Sequence, residues 1–289
     1  MRMRAITVLL LSGAGLFGQG AAAPDLLSKA EELYGRTDYR ASLALIRESG
    51  QDSGKAYDLI GRDEYMLGDY KKATEAWERA FAIEPANADY ALWLGRAFGR
   101  RAETCLPIFA PKYAAQARSY FEKAVALDPR NQEALNDLFD YYLEAPGFLG
   151  GGFDKAEAIA KRIAERNPAE GHFAEAQLAD RRKQFDTAEE QLRRAIELAP
   201  RQVGRVLDLA RYLAKRGRIS ESEAAFDQAE RLAPQAPKVL FSRARTYVEQ
   251  KRNLGQAKDL LQQYLHSQLT PDDPSREQAE KLLKEASGV

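Results

Sequence analysis

The chain has 289 residues, of which 45% are hydrophobic and 30% are charged, and its 43 basic residues balance its 43 acidic residues. A net charge of zero gives no electrostatic basis for binding nucleic acid, because that affinity comes largely from neutralising phosphates. Cys105 is the one cysteine in the sequence. No disulfide can form within the chain, so packing alone must hold the fold.

The first 22 residues are predicted to be a secretory signal peptide. Arg2 and Arg4 precede an apolar stretch from Ala5 to about Phe17, and small residues follow. This stretch is shorter than the ~20 residues that a membrane span needs. Loss of the two arginines leaves residues 23–289 with an excess of two negative charges. We therefore expect a periplasmic or secreted protein with no membrane span after cleavage.

Units of similar length repeat along the rest of the chain. The segments "LIGRDEYMLGDYKKATEAWERAFAIEPAN" and "DLARYLAKRGRISESEAAFDQAERLAPQA" share two small residues twelve positions apart, an aromatic residue four positions later and a closing proline. The apolar residues follow helical spacing. Successive closing prolines are separated by 44, 39, 32 and 34 residues, and they are Pro85, Pro129, Pro168, Pro200 and Pro234.

This pattern resembles the tetratricopeptide repeat, whose unit of about 34 residues is a helix pair. The resemblance implies an all-α fold, a right-handed α-solenoid of about seven antiparallel helix pairs from Leu26 to Leu265. A C-terminal capping helix is expected from about residue 274, with Ser275 as its cap. Leu282 and Leu283 are expected to cover the last unit.

Two units are longer than the others between their small sites. Gly95 and Ala117 are 22 residues apart, and Phe139 and Ala156 are 17 apart, against 12 in the second, fifth and sixth units. Phe139 also stands where the other units have a small residue. Because repeats stack in one orientation, we expect two lengthened turns at the same edge of the solenoid. The second, "APGFLGGGFDK", lacks the preceding strand and the G-K-[ST] sequence of a phosphate-binding loop.

Both lengthened turns carry apolar side chains. Two interpretations stay open: the side chains pack on the protein, as most apolar residues do, or they form a docking surface for a partner, as exposed apolar clusters do. The candidate docking residues are Leu106, Ile108, Phe109, Phe148, Leu149 and Phe153.

The resemblance also implies a peptide-binding groove along the first helix of each unit. Arginine occupies one equivalent groove position in four of six units, and Asp140 and Gln177 occupy the other two. Guanidinium groups pair well with carboxylates, which predicts an extended or acidic peptide as ligand. The alternative is that these arginines pair with acidic residues of neighbouring repeats. The candidate groove residues are Arg62, Arg96, Asn136, Gln177, Arg211, Arg245, Phe173 and Phe241.

The sequence has no pattern typical of catalysis. His172 and His266 have no partners at metal-ligand or proton-relay spacing, and no cofactor is predicted. We therefore expect a non-catalytic scaffold or assembly module of a bacterial cell envelope, with a protein or peptide partner. The alternative is an accessory subunit or weak enzyme with a small-molecule pocket at residues 100–113 and 145–153. Sugar stacking on Trp77 and Trp93 is a third hypothesis, which we rank below core packing of these rings.

Overall fold

The computed structural model describes residues 26–288, and within this range the secondary structure is entirely helical. The predicted signal peptide lies outside the described residues. The helices are α1 (Leu26–Gly35), α2 (Tyr39–Glu48), α3 (Gly54–Met66), α4 (Tyr70–Ile83), α5 (Ala88–Thr104), α6 (Ala110–Leu127), α7 (Gln132–Glu144), α8 (Phe153–Arg166), α9 (Pro168–Arg181), α10 (Phe185–Leu198), α11 (Val203–Lys215), α12 (Ile219–Leu232), α13 (Pro237–Glu249), α14 (Leu254–His266) and α15 (Arg276–Ser287), with a short 3-10 helix at Gly147–Leu149.

Helices α1 to α14 form seven consecutive pairs, and each helix packs chiefly on the helices before and after it in the chain. This arrangement confirms the predicted all-α solenoid. Short polar side chains fix many of the helix starts by accepting a hydrogen bond from a backbone N–H in the first turn. The residues that cap in this way are Asp38, Ser53, Asp69, Asn87, Asn131, Asn167 and Ser275.

The two helices of a unit meet where a small residue faces an aromatic ring. A Cβ atom built on Gly61 would lie 2.6 Å from the ring of Trp77, and one built on Gly95 would lie 2.5 Å from Phe121. In both pairs the ring fills the space that the missing side chain leaves. The predicted role of the small sites in close helix approach therefore has a direct steric basis.

In the fourth unit the large and the small residue are exchanged between the two helices. Phe139 occupies the position of Gly95 and is buried, while Ala160 stands where the third unit has Phe121 and is also buried. A large residue on the first helix thus faces a small one on the second. Because volume-conserving exchanges are the best tolerated changes in a core, the departure seen at Phe139 preserves the packing.

The extra residues of the third unit lengthen its helices, which corrects the expectation of a lengthened turn. Helix α5 has 17 residues and α6 has 18, against 13 and 14 in the second unit. The helices continue because Phe98 stacks on Tyr113 at 6.3 Å, and Arg101 donates to the Tyr113 hydroxyl at 2.8 Å. Only Cys105–Phe109 connects them. The fourth unit does have a longer connection, which contains the 3-10 helix.

Helix α15 covers the apolar end of the last unit. Ala279 and Ala286 are buried against α13 and α14, and Leu282 and Leu283 pack on the same cluster, as predicted. The residues just before this helix also face the other end of the solenoid. Asp273–Ser275 and the Met66–Gly68 turn line opposite sides of a cavity of about 710 Å³. The solenoid therefore curves until its two ends face each other.

A buried carboxyl lies between the first and second units. Asp63 is fully buried, and its Oδ2 accepts a hydrogen bond from Ser42 Oγ at 2.7 Å, while its Oδ1 has no partner among the described residues. Burial, with a smaller contribution from Glu64, raises the pKa of Asp63 to about 7, against the hydrogen bond from Ser42 and the charge of Arg47. The folded protein therefore favours the protonated form of this group.

Gly95→Ala is expected to lower the free energy of unfolding by about 1–3 kcal/mol, because the added Cβ overpacks the core against Phe121. Gly99→Ala on the same helix is the matched control, since a Cβ there has nothing within 4 Å. The control is expected to gain about 0.5–1 kcal/mol from reduced chain entropy. Urea or thermal unfolding measures both, and equal stability of the two variants would contradict the steric role of Gly95.

The Asp63 carboxyl makes stability depend on pH. The folded state keeps a proton that the unfolded state releases above about pH 4, so the free energy of unfolding falls as pH rises from about 4 to about 7. Between pH 5 and pH 8, the raised pKa of Asp63 lowers the free energy of unfolding by roughly 2–3 kcal/mol. Asp63→Asn is expected to reduce this decline and exposed Asp52→Asn to leave it intact, as measured by chemical unfolding at several pH values. An unchanged slope in Asp63→Asn would refute the assignment.

Candidate functional site

A cavity of about 540 Å³ lies where the long third unit meets the loop of the fourth. It opens between α5, α6 and α7, at the end of the groove where the predicted turns lie. Its volume falls in the range of ligand pockets. The lining residues are Tyr65, Arg96, Gly99, Arg100, Ala102, Glu103, Ala114, Ala117, Phe121, Asp137, Asp140, Tyr141, Glu144, Ala145, Pro146 and Leu149.

The sequence builds one wall of the cavity from a glycine-rich loop. Tyr141 donates its hydroxyl proton to the Leu149 carbonyl at 2.9 Å, and Arg118 Nη1 donates to the same oxygen at 3.1 Å. Gly150 has a φ of +87°, and a Cβ there would lie 1.7 Å from Arg118 Nη1. Glycine is therefore required here for two reasons: it adopts the left-handed backbone conformation without strain, and it leaves room for the guanidinium group of Arg118. Lys155, the lysine of the glycine-rich stretch, donates to the Gly150 carbonyl at 2.8 Å.

Two groove arginines contact an indole ring next to the cavity. The guanidinium carbons of Arg62 and Arg96 lie 4.9 and 4.8 Å from the centre of the Trp93 ring. Trp93 also stacks on the buried Trp77 with ring centres 5.2 Å apart. The stacking is a cation–π arrangement that orients both guanidinium groups. These rings pack on each other, as the core interpretation of the tryptophans predicted.

All four predicted groove arginines form ion pairs. Arg96 donates from Nε to Asp137 at 2.5 Å and from Nη2 to Glu133 at 2.9 Å, so it bridges to the next unit. The other three pair with carboxylates on their own helix. Their partners are Asp58 for Arg62, Asp208 for Arg211 and Glu249 for Arg245. An acidic ligand would have to compete with these carboxylates.

The carboxyl groups of the cavity differ in how far their pKa is raised. Burial raises the pKa of Asp137 above its ordinary value, and Arg96 opposes this shift. Loss of water raises the pKa of Asp140 to about 7, with further contributions from the negative charges of Asp137 and Glu144. Burial also raises the pKa of Tyr65 to about 12. The cavity thus disfavours additional negative charge.

Most of the predicted docking residues are exposed on the surface. Ile108 is 80% exposed and Phe148 is 82% exposed, and Leu106, Phe109 and Phe153 are exposed to a lesser degree. Leu149 differs, because it lines the cavity. Of the two interpretations of these side chains, packing on the protein therefore does not apply to the five exposed residues. We call Leu106, Ile108, Phe109 and Phe148 the apolar edge.

The remaining predicted groove residues lie in several environments. Phe173, Gln177 and Arg211 line a second cavity of about 180 Å³, and the Arg205 guanidinium covers the Phe173 ring at 3.7 Å. Asn136 accepts a hydrogen bond from Gln132 at 2.9 Å. Phe241 is buried in the core of the last units, with its ring centre 5.2 Å from that of Tyr264. Phe241 therefore does not line the groove surface.

Sequence reasoning missed several residues of the cavity, among them Tyr65, Asp137 and Glu144. These three lie on the first helices of their units, at positions other than those of the predicted groove residues. A signal was present in the charges, because Asp137, Asp140 and Glu144 follow one another at helical spacing on α7.

No catalytic constellation is found in the part of the chain that the structure describes. His172 Nδ1 lies 2.6 Å from Gln191 Oε1, and Cys105 is a free thiol near the tip of the third unit. Over residues 26–288, no three His, Cys, Asp or Glu side chains are placed to hold a metal ion. Within the same range no helix combines the length and apolarity required to cross a bilayer.

Comparison with known proteins agrees with the fold. The tetratricopeptide-repeat profile matches residues 59–101 and 207–274. A thermophilic repeat protein of this family from Thermus thermophilus is 25% identical, with a TM-score of 0.52 over 65% of this chain and 97% of its own. A repeat protein from Parabacteroides merdae is 17% identical, with a TM-score of 0.57 over 91% of this chain and 97% of its own. No curated protein sequence is significantly similar. Residues 59–101 and 207–274 therefore match tetratricopeptide repeats, and the described residues share the fold of solved repeat proteins of this kind.

Gly150→Ala is expected to disorder the wall of the cavity, because a left-handed backbone costs a residue with a Cβ about 1–2 kcal/mol and the methyl group would displace Arg118. Faster hydrogen exchange over residues 145–153 should result, with little change in distant helices. Gly147→Ala is the control, since a Cβ there has nothing within 4 Å. Exchange in this segment that is equal in both variants would contradict the role given to Gly150.

Proposed function

We propose that this protein is a non-catalytic scaffold that binds an extended segment of a protein partner across the cavity and the apolar edge. Tetratricopeptide repeats stack into extended concave surfaces that serve binding. The observation that carries the proposal is the cavity of about 540 Å³ lined mainly by the third and fourth units, whose connecting segments also expose Ile108 and Phe148. Large apolar side chains exposed together at one edge are typical of contact sites.

The location forms a second part of the proposal. The basic and then apolar N-terminus supports export, which would place the scaffold in the periplasm or outside the cell. An assembly or chaperone-like role in the cell envelope suits such a scaffold. The single free cysteine is compatible with an oxidising compartment, because it has no partner within the chain.

A small molecule in the cavity is the second candidate, as an accessory subunit or weak enzyme would require. The volume and the rings of Tyr65, Phe121 and Tyr141 favour it, because ligand pockets combine apolar walls with a few polar groups. Mass spectrometry of the natively purified protein distinguishes the two candidates. A stoichiometric small ligand would favour the second candidate.

The scaffold proposal predicts site-specific crosslinking. A photo-crosslinking residue at position 108 or 148 is expected to capture a discrete partner in cells, whereas the same residue at 83 or 198 is not. Ile83 and Leu198 are matched controls, since they are exposed apolar residues of other units. With the purified partner, Ile108→Ser and Phe148→Ser should weaken binding about tenfold, as expected for interface anchors. Equal capture at all four positions would contradict the proposed site.

A further inference from the structure

We propose that the partner segment presents a lysine or arginine side chain to the carboxylates of the cavity, with apolar residues on either side of it. This inference rests on the proposed function and specifies the chemistry of its ligand. It departs from the acidic ligand that the arginines of the sequence suggested. Three observations support it: the charge balance of the cavity, the pairing of its charged groups and the apolar surroundings.

Negative charge predominates in the cavity. Two arginines, Arg96 and Arg100, face four carboxylates along the lining. Fixed charge of one sign in a cleft with low-dielectric walls raises the local concentration of the opposite charge. The four carboxylates belong to Glu103, Asp137, Asp140 and Glu144.

The pairing of these groups leaves one carboxylate for a ligand. Arg96 is engaged by Asp137 and Glu133, and Arg100 pairs with Glu103. Glu144 pairs with Arg181 at 3.2 Å. Asp140 forms no ion pair among the described residues, and its partner is the Gln177 side chain, a neutral hydrogen-bond donor. A cation entering the cavity can therefore reach Asp140 without breaking an ion pair.

The groups around Asp140 strengthen its attraction for a cation. Burial raises the pKa of Asp140, Asp137 and Glu144 on α7 add to this shift, and Gln177 and Arg205 oppose it. Arg205 is itself engaged, because it pairs with Asp208 at 2.8 Å and lies over the Phe173 ring. On α5, both arginines of the lining already hold carboxylates. A ligand cation would restore the ionised form of Asp140.

The apolar surroundings of Asp140 favour a ligand that has apolar groups as well as a positive charge. Pro146, Leu149 and Phe121 line the cavity, and exposed Phe148 of the apolar edge directly precedes Leu149 in the chain. A long basic side chain can lay its methylene stem on such walls while its charged end reaches a carboxylate. Apolar neighbours on the same segment can cover Ile108 and Phe148. A lysine or arginine within an apolar segment matches these features, whereas a segment rich in acidic residues meets like charge.

Four sets of labelled twelve-residue peptides test this inference. All share leucine and phenylalanine flanks and differ only in a central lysine, arginine, glutamine or glutamate. Fluorescence anisotropy with the full chain is expected to show at least tenfold tighter binding of the lysine and arginine peptides than of the glutamine peptide, and weaker binding still of the glutamate peptide. Affinity for the basic peptides should rise from pH 6 to pH 8, because Asp140 ionises in that range.

Asp140→Asn should remove most of the preference for basic peptides and its pH dependence, while exposed Asp186→Asn should keep both. Circular dichroism verifies that both variants are folded. Equal affinity for lysine, glutamine and glutamate peptides would overturn the inference and leave the scaffold proposal standing. Competition by free spermidine at the affinity of the peptide would overturn the assignment to a protein segment. Absence of binding by all four sets would also overturn the inference, and crosslinking at positions 108 and 148 would then decide the scaffold proposal separately.

Discussion

The close contact between the two helices of each unit is the constraint on which the rest of the structure depends. A ring on the second helix occupies the space above a residue without a side chain on the first, as Trp77 does at Gly61 and Phe121 at Gly95. The exchange at Phe139 and Ala160 indicates that the combined volume matters more than the glycine. Protein interiors are packed densely enough that such a volume must be conserved. The contacts of successive units join into continuous cores, one of which runs from Ala73 on α4 to Leu178 on α9.

This core also positions the polar surface of the groove. Trp77 Nε1 donates to Asp58 Oδ1 at 2.8 Å, and Asp58 Oδ2 accepts from Arg62 Nε at 2.8 Å. Arg62 in turn lies 4.9 Å from the centre of the Trp93 ring, and Arg96 lies 4.8 Å from the same ring centre. A chain of contacts therefore runs from the buried ring of one unit to the Asp137 of the unit two further along. Groove arginines held in this way organise the surface more than they offer free charge to a ligand.

The fold could be predicted from the local periodicity of the sequence. The features that could not be predicted depend on contacts between residues that are distant in the chain. The small and aromatic positions repeat along the sequence, so the helix pairs follow from spacing alone. The lengthening of α5 and α6 depends on the contact between Phe98 and Tyr113, which spacing does not reveal. Phe241 occupies a groove position of the repeat, yet Tyr264 of the following helix buries it. Spacing did not predict the cavity because its walls come from four helices and a loop.

The candidate site arises where two irregular units are adjacent. The third unit extends its helices beyond those of its neighbours, and the fourth folds its extra residues over α6 through Arg118. A regular solenoid would have neither wall, so the cavity exists only because both insertions occupy the same edge. Its carboxylates exceed its arginines, and those arginines are already paired. The binding property of this site is therefore set by the carboxylate that the repeat leaves unpaired, Asp140, and not by the row of arginines that the sequence makes conspicuous.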